Sequence, residues 1–235
     1  MKFQKIRQYI SAPRINRYMT ATGNSVVRTN KLYKANLKVI QSFHPLIGIL
    51  EVILRNRIND ILSGHFTDPD WIINQKTGFM SHSSLRYTHK KTGRIVINDF
   101  LKKQVENAEK RLRKARIIPT SGKIISEQTF GFWTDLFEVH HYRILIGKPI
   151  QIFKNLPPGY GRKEACDELN NIRVFRNRIN HNEPICFAGN TIDFTYARKV
   201  YDSIINVFSW IDPEILTYIK DIDKVQINIA KAERI

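Results

Sequence analysis

Two arginines, a histidine and three side-chain amides fall within seven residues, Arg176-Asn177-Arg178-Ile179-Asn180-His181-Asn182, and Glu183 and Pro184 follow. Arginine is a fixed positive charge whose planar fork of donors grips a phosphate. Histidine takes and gives protons near neutrality. Together they are the minimum equipment for cleaving a phosphodiester without a metal. In that chemistry His181 takes the proton of a ribose 2′-hydroxyl, which attacks the adjacent phosphorus. Arg176 stabilises the charge that develops on the phosphoryl oxygens, and Asn177 or Asn180 holds an oxygen in place. The bare spacing Arg-x4-His decides little in so basic a chain, so its surroundings carry the argument.

The elements that must position these residues are helical. Leu169, Ile172, Phe175 and Ile179 recur at helical steps and predict a helix from about Arg162 into the Arg176–His181 stretch. Pro184 predicts an end near Asn182. Residues five apart on a helix are separated by about 140° around its axis, so Arg176 and His181 do not converge on one ideal helix. Either the helix stops by about Asn180, or two chains each supply part of the site. A second marked helix is expected over 45–65, with Leu46, Ile49, Leu50, Ile53, Leu54, Ile58, Ile61 and Leu62 on its apolar steps and His44-Pro45 ending the helix before it. It contains Arg55-Asn56-Arg57-Ile58-Asn59, the same five letters as Arg176–Asn180, with Asp60 where the other copy has His181. Glu51 and Arg55 are four apart and are expected to pair there.

Elsewhere, residues 1–28 read as a weakly patterned basic arm that orders on docking or on binding. Residues 76–94 read as an exposed loop, with a short extended piece at Ile95-Val96-Ile97. Asn98 and Asp99 cap a charged helix to about Ile118, and Ser126 opens a helix carrying Phe130, Phe132, Trp133, Leu136 and Phe137. Asp193 caps a helix over 194–211, and Asp212-Pro213 starts the last one. The sum is about seven helices with no strand pair. The fold class is all-α, divided into an arm (1–29), a central domain (30–211) and a C-terminal helix on the same domain (212–235).

With 235 residues, 42% of them hydrophobic, the chain has material for a core. Its formal charge is +17. Residues 1–50 hold nine Lys or Arg and no acid, and residues 86–116 hold eleven against Asp99, Glu106 and Glu109. Such a field favours a polyanion, either nucleic acid or an anionic membrane surface, and residues 1–38 and 86–116 are expected to carry the phosphate contacts with RNA. Two cysteines, Cys166 and Cys186, rule out a disulfide framework and suggest buried thiols in a reducing compartment. No zinc-type Cys/His cluster, Gly-rich phosphate loop or Gly-x-Ser-x-Gly turn occurs, so no metal or cofactor is expected. The longest apolar run, Leu46–Leu54, is about half a membrane span and contains Glu51. The expectation is a cytoplasmic protein that does not engage a membrane.

Three segments together resemble the Abi-like family of bacterial abortive-infection proteins, within the HEPN superfamily of all-α ribonucleases and RNA binders. They are Leu50–Ile58 with Asp70-Trp71 after it, Thr129-Phe130-Gly131-Phe132-Trp133-Thr134-Asp135-Leu136-Phe137, and Ile172–Ile185. The resemblance covers roughly residues 30–210. It implies a HEPN-type helical bundle with additional helices, a metal-independent endoribonuclease of phage defence or toxin–antitoxin type, and a homodimer in which two Arg-x4-His motifs meet at the two-fold axis. In that scheme Arg176, His181 and Asn177 are catalytic, while Asn180, Arg178, Arg55, Asn56 and Glu51 bind RNA or line the site. A small RNA or a protein antitoxin is a possible partner. The chain departs from the family in carrying Asn180 and Asn182 beside His181, where a small residue and a second histidine are common. Two alternatives stand beside cleavage. One is a non-catalytic RNA-binding HEPN protein, regulated by a small RNA. The other is a structural dimer in which Arg176 pairs with Glu183 or Glu51 and His181 closes a helix end.

Overall fold

A computed structural model describes residues 2–88 and 90–235; Met1 and His89, which fall in the expected arm and loop, lie outside them. Helix accounts for 68% of the chain and strand for 4%, so the all-α class holds. In order, the helices are α1 (Phe3–Ile10), α2 (Ala12–Ala21), α3 (Val26–Phe66), α4 (Trp71–Asn74), α5 (Phe100–Lys114), α6 (Ser121–Glu127), α7 (Phe130–Asp135), α8 (Val139–Ile144), α9 (Arg162–Asn180), α10 (Thr195–Ile211), α11 (Glu214–Ile219) and α12 (Val225–Ala232). Two short antiparallel hairpins interrupt them, β1 (Arg86–Thr88) with β2 (Ile95–Ile97) and β3 (Phe187–Ala188) with β4 (Thr191–Ile192). The extended piece at 95–97 therefore has a partner, Arg86 lying opposite Ile97.

At the N-terminal side the expected arm is helical: α1 and α2 are regular, and Ile15 and Tyr18 of α2 are fully buried. Burying these two side chains outweighs the weak local pattern. The expected break at His44-Pro45 is absent, since α3 runs unbroken for 41 residues with Pro45 inside it. A mid-helix proline costs about 3 kcal/mol through a lost hydrogen bond and a clash with the carbonyl four residues back. Here Pro45 and Gln41 are both exposed, on the solvent side of the helix. Phe43, Leu46, Ile47 and Leu50 on either side are buried and hold the helix on course. By length and composition α3 also suffices to cross a membrane, and 44% of its most apolar window is buried inside the protein.

Further along, Ser126 does not start the aromatic helix. It lies within α6, and a break at Gln128-Thr129 precedes α7. The final helix is likewise two, α11 and α12.

The chain divides into two compact units. The first comprises residues 1–49, 174–209 and 213–235. An aromatic column runs through it, with Phe43 against Phe175 at 4.6 Å between ring centroids and Phe175 against Tyr196 at 5.8 Å. Tyr18 meets Phe187 edge-on at 4.9 Å, and Arg17 lies over the same ring at 4.7 Å while donating to the Gly189 carbonyl. These contacts fix α2 on the second hairpin.

The second unit comprises residues 50–173 and 210–212. All five large apolar side chains of the Phe130–Phe137 stretch are buried, as a core role requires. Trp71 is buried too, and its indole N–H donates to Asn59 at 2.9 Å. Asp135 Oδ2 lies 2.8 Å from Nδ1 of the fully buried His141. Arg162 donates to the Phe137 carbonyl at 3.0 Å, which ties the start of α9 to the end of the aromatic stretch.

Candidate functional site

The last turn of α9 is shaped by its own residues. Asn182 adopts a left-handed conformation, φ 53°, which asparagine tolerates better than most residues. Its N–H bonds the Ile179 carbonyl at 2.9 Å, and the Glu183 N–H bonds the Arg178 carbonyl at 2.9 Å. This pair of crossed bonds is a Schellman cap, with His181 as the capping residue. An apolar contact commonly accompanies such a cap; here Arg178 Nε meets Glu183 Oε2 at 3.2 Å instead. Arg178 also donates to the Pro184 carbonyl at 3.0 Å and lies 5.5 Å over the Tyr196 ring. The next backbone donor, Ile185 N–H, is taken at 3.0 Å by the buried Asn36 side chain of α3. The exit from α9 is therefore held on both sides.

α9 thus ends at Asn180, as the proline signal implied, with the His181 N–H still bonded to the Asn177 carbonyl at 3.2 Å. Because that bond continues the helical path, the expected site residues fall on two faces. Asn177 and His181, four apart, share one face with Val174, and all three are exposed. Arg176 and Asn180 share the other, about 140° round the axis from the first. Arg176 is half-buried and Asn180 exposed. A single chain does not bring Arg176 and His181 to one phosphate. Glu183 engages Arg178, and Arg178 is committed to closing the helix.

The first copy of the pentapeptide folds alike, inside α3. Ile58 is buried as Ile179 is. Asn59, the counterpart of Asn180, is taken up by the Trp71 indole. Arg57 pairs with Asp60 at 3.3 Å. Glu51 is engaged on α3, and Arg55 is half-buried. Asn56 is exposed on α3, as Asn177 is on α9. Among the described residues no group of His, Cys, Asp and Glu has the arrangement of a metal site.

Sequence reasoning missed two features. The Asp135–His141 contact joins a carboxylate of the aromatic stretch to a histidine that had no distinguishing neighbour in sequence. The other is a cavity lined by Lys31, Lys34, Lys38 and Lys231. No family model, curated protein or solved structure matches the chain.

Proposed function

We propose that the protein is a metal-independent endoribonuclease of HEPN type, acting in phage defence as a homodimer. The observation that carries this reading is the Schellman-capped end of α9, which presents His181 and Asn177 on one exposed face and Arg176 and Asn180 on another. In a two-fold interface, residue i of one protomer meets residue j of its partner and the reverse. The two α9 ends then meet at the axis, with the two Arg176 side chains facing a shared cleft and a His181 from each protomer available to it. Exposed Val174, 49% accessible and two turns back from His181 on the same face, supplies apolar surface for that contact. Within the cleft the imidazole removes the 2′-hydroxyl proton, and the guanidinium offsets charge on the phosphoryl oxygens. The products are a 2′,3′-cyclic phosphate and a 5′-hydroxyl, and DNA is not cut because it lacks the nucleophile.

The test is incubation of the purified protein with total RNA in EDTA, alongside His181→Ala. Cleavage that survives chelation and disappears in the variant supports the proposal. Cleavage retained by the variant, or activity from a strictly monomeric protein in light scattering, refutes it.

The divergence of Arg176 and His181 on a single chain favours one second reading, an RNA-binding HEPN protein without catalysis and under the control of a small RNA. It predicts RNA binding with intact strands in the same assay.

A further inference from the structure

Away from the end of α9, the first unit carries a second concentration of chemistry. Lys31, Lys34 and Lys38 recur at three- and four-residue steps on one face of α3, a span of about 10.5 Å along the axis. Together with Lys231 and Asn228 of α12, and with Ala35 and Ile235, they line a cavity of about 340 Å³. All four lysines are exposed, and no carboxylate side chain is among the lining residues. Among the described residues the lysine ion pairs are those of Lys76, Lys103 and Lys163, none of which lines this cavity. Glu233, close in sequence to Lys231, is held by Arg198 at 2.7 Å. The Ile235 carbonyl accepts from Arg28 at 2.8 Å.

Four like charges around one cavity repel one another, and an anion of several charges reverses the sign of that interaction. We infer that this cavity binds a run of adjacent phosphates. Lysine suits it, since an ammonium is a point charge on a flexible stem that meets phosphate oxygens in many geometries. The Asn228 side-chain amide adds a neutral donor. No aromatic side chain lines the cavity, so nothing there stacks on a base, and recognition is of phosphate alone. The run has two possible sources, a free polyphosphate such as a nucleotide tail or the backbone of an RNA strand. The site requires no cleavage and stands whether or not the protein is a nuclease.

The experiment is calorimetric titration of the full-length His181→Ala protein, which keeps any strand intact. One arm uses inorganic tripolyphosphate, the other a single-stranded RNA without terminal phosphates. Lys34→Gln/Lys231→Gln is compared with Lys31→Gln/Lys38→Gln and with Lys220→Gln, an exposed lysine outside the cavity. Saturable binding of either anion is expected, weakened about tenfold or more by each cavity pair and within about twofold of the parent in Lys220→Gln. For RNA, the slope of log K against log salt should fall by about 0.7 per cavity lysine removed. Tripolyphosphate binding alone identifies a free polyphosphate, and RNA binding alone identifies a strand. Binding untouched by both cavity pairs, equal weakening by Lys220→Gln, or no saturable binding of either anion overturns the inference.

Discussion

Arg178 and Glu183 face each other across the end of α9, Nε to Oε2 at 3.2 Å, and close the turn that leaves His181 at the helix terminus. Both are partly exposed, so the ion pair itself contributes only about 0–1 kcal/mol. The geometry of the turn depends more on the left-handed Asn182 between them. Asn182→Gly is expected to fold with stability close to the parent. Asn182→Val is expected to cost about 1–2 kcal/mol through steric strain at positive φ, or roughly 2–8 °C in melting temperature at about 2–4 °C per kcal/mol. Thermal denaturation of the two variants checks this; an unchanged valine variant would mean the cap does not fix the turn.

The two pentapeptide copies are expected to separate in function. Arg176→Ala should abolish cleavage, while Arg55→Ala, at a half-buried position of α3, should retain it and cost about 1 kcal/mol. RNA cleavage assays paired with melting curves decide the matter. An inactive but stable Arg55→Ala protein with an active Arg176→Ala protein would reverse the assignment.

Asp135 Oδ2 and His141 Nδ1 approach to 2.8 Å inside the second unit, and His141 has no exposed surface. His141→Ala leaves both a void and a carboxylate without its neighbour. A loss of about 2–4 kcal/mol is expected, from cavity and unsatisfied polar group together. A double-mutant cycle with Asp135→Asn should show coupling above about 0.5 kcal/mol. Simple additivity would show that the 2.8 Å approach contributes nothing.

Burial pushes the Cys186 thiol up to about 12 and the Cys166 thiol to about 11, from an ordinary 9.0. Between the unfolded and folded values the unfolded chain has lost these protons and the native chain has kept them. Stability from this source is therefore complete below about pH 9 and falls as pH rises through about 11 to 12. Native protein at pH 7.5 should resist thiol-labelling reagents at both positions and react fully in denaturant. Rapid native labelling of either cysteine contradicts that account.

Much of the helical plan was legible because burial and period agree: Leu169, Ile172, Phe175 and Ile179 mark α9, and Asn182 with Pro184 marks its end. The all-helical class followed from the same steps. What was hidden depended on distant partners. Nothing near Ile15 and Tyr18 in sequence reveals that both are fully buried. Lys231 meets Lys31, Lys34 and Lys38 from the other end of the chain. The repeated pentapeptide shows the limit most directly. Five identical letters build the same helical surface twice, but the residues just beyond decide whether the helix stops, at His181-Asn182, or continues, at Asp60.

A helix of 41 residues ordinarily begins to open only at its two ends, where hydrogen bonds are fewest. Pro45 supplies no amide hydrogen, so the ladder of α3 has a missing rung near its middle, on the solvent side. The backbone there has a third point from which to fray, and deuterium should enter the amides flanking it through openings smaller than global unfolding. The buried neighbours Phe43 and Leu46 set how large those openings grow. One residue thereby divides a continuous rod into two stretches that protect their amides separately.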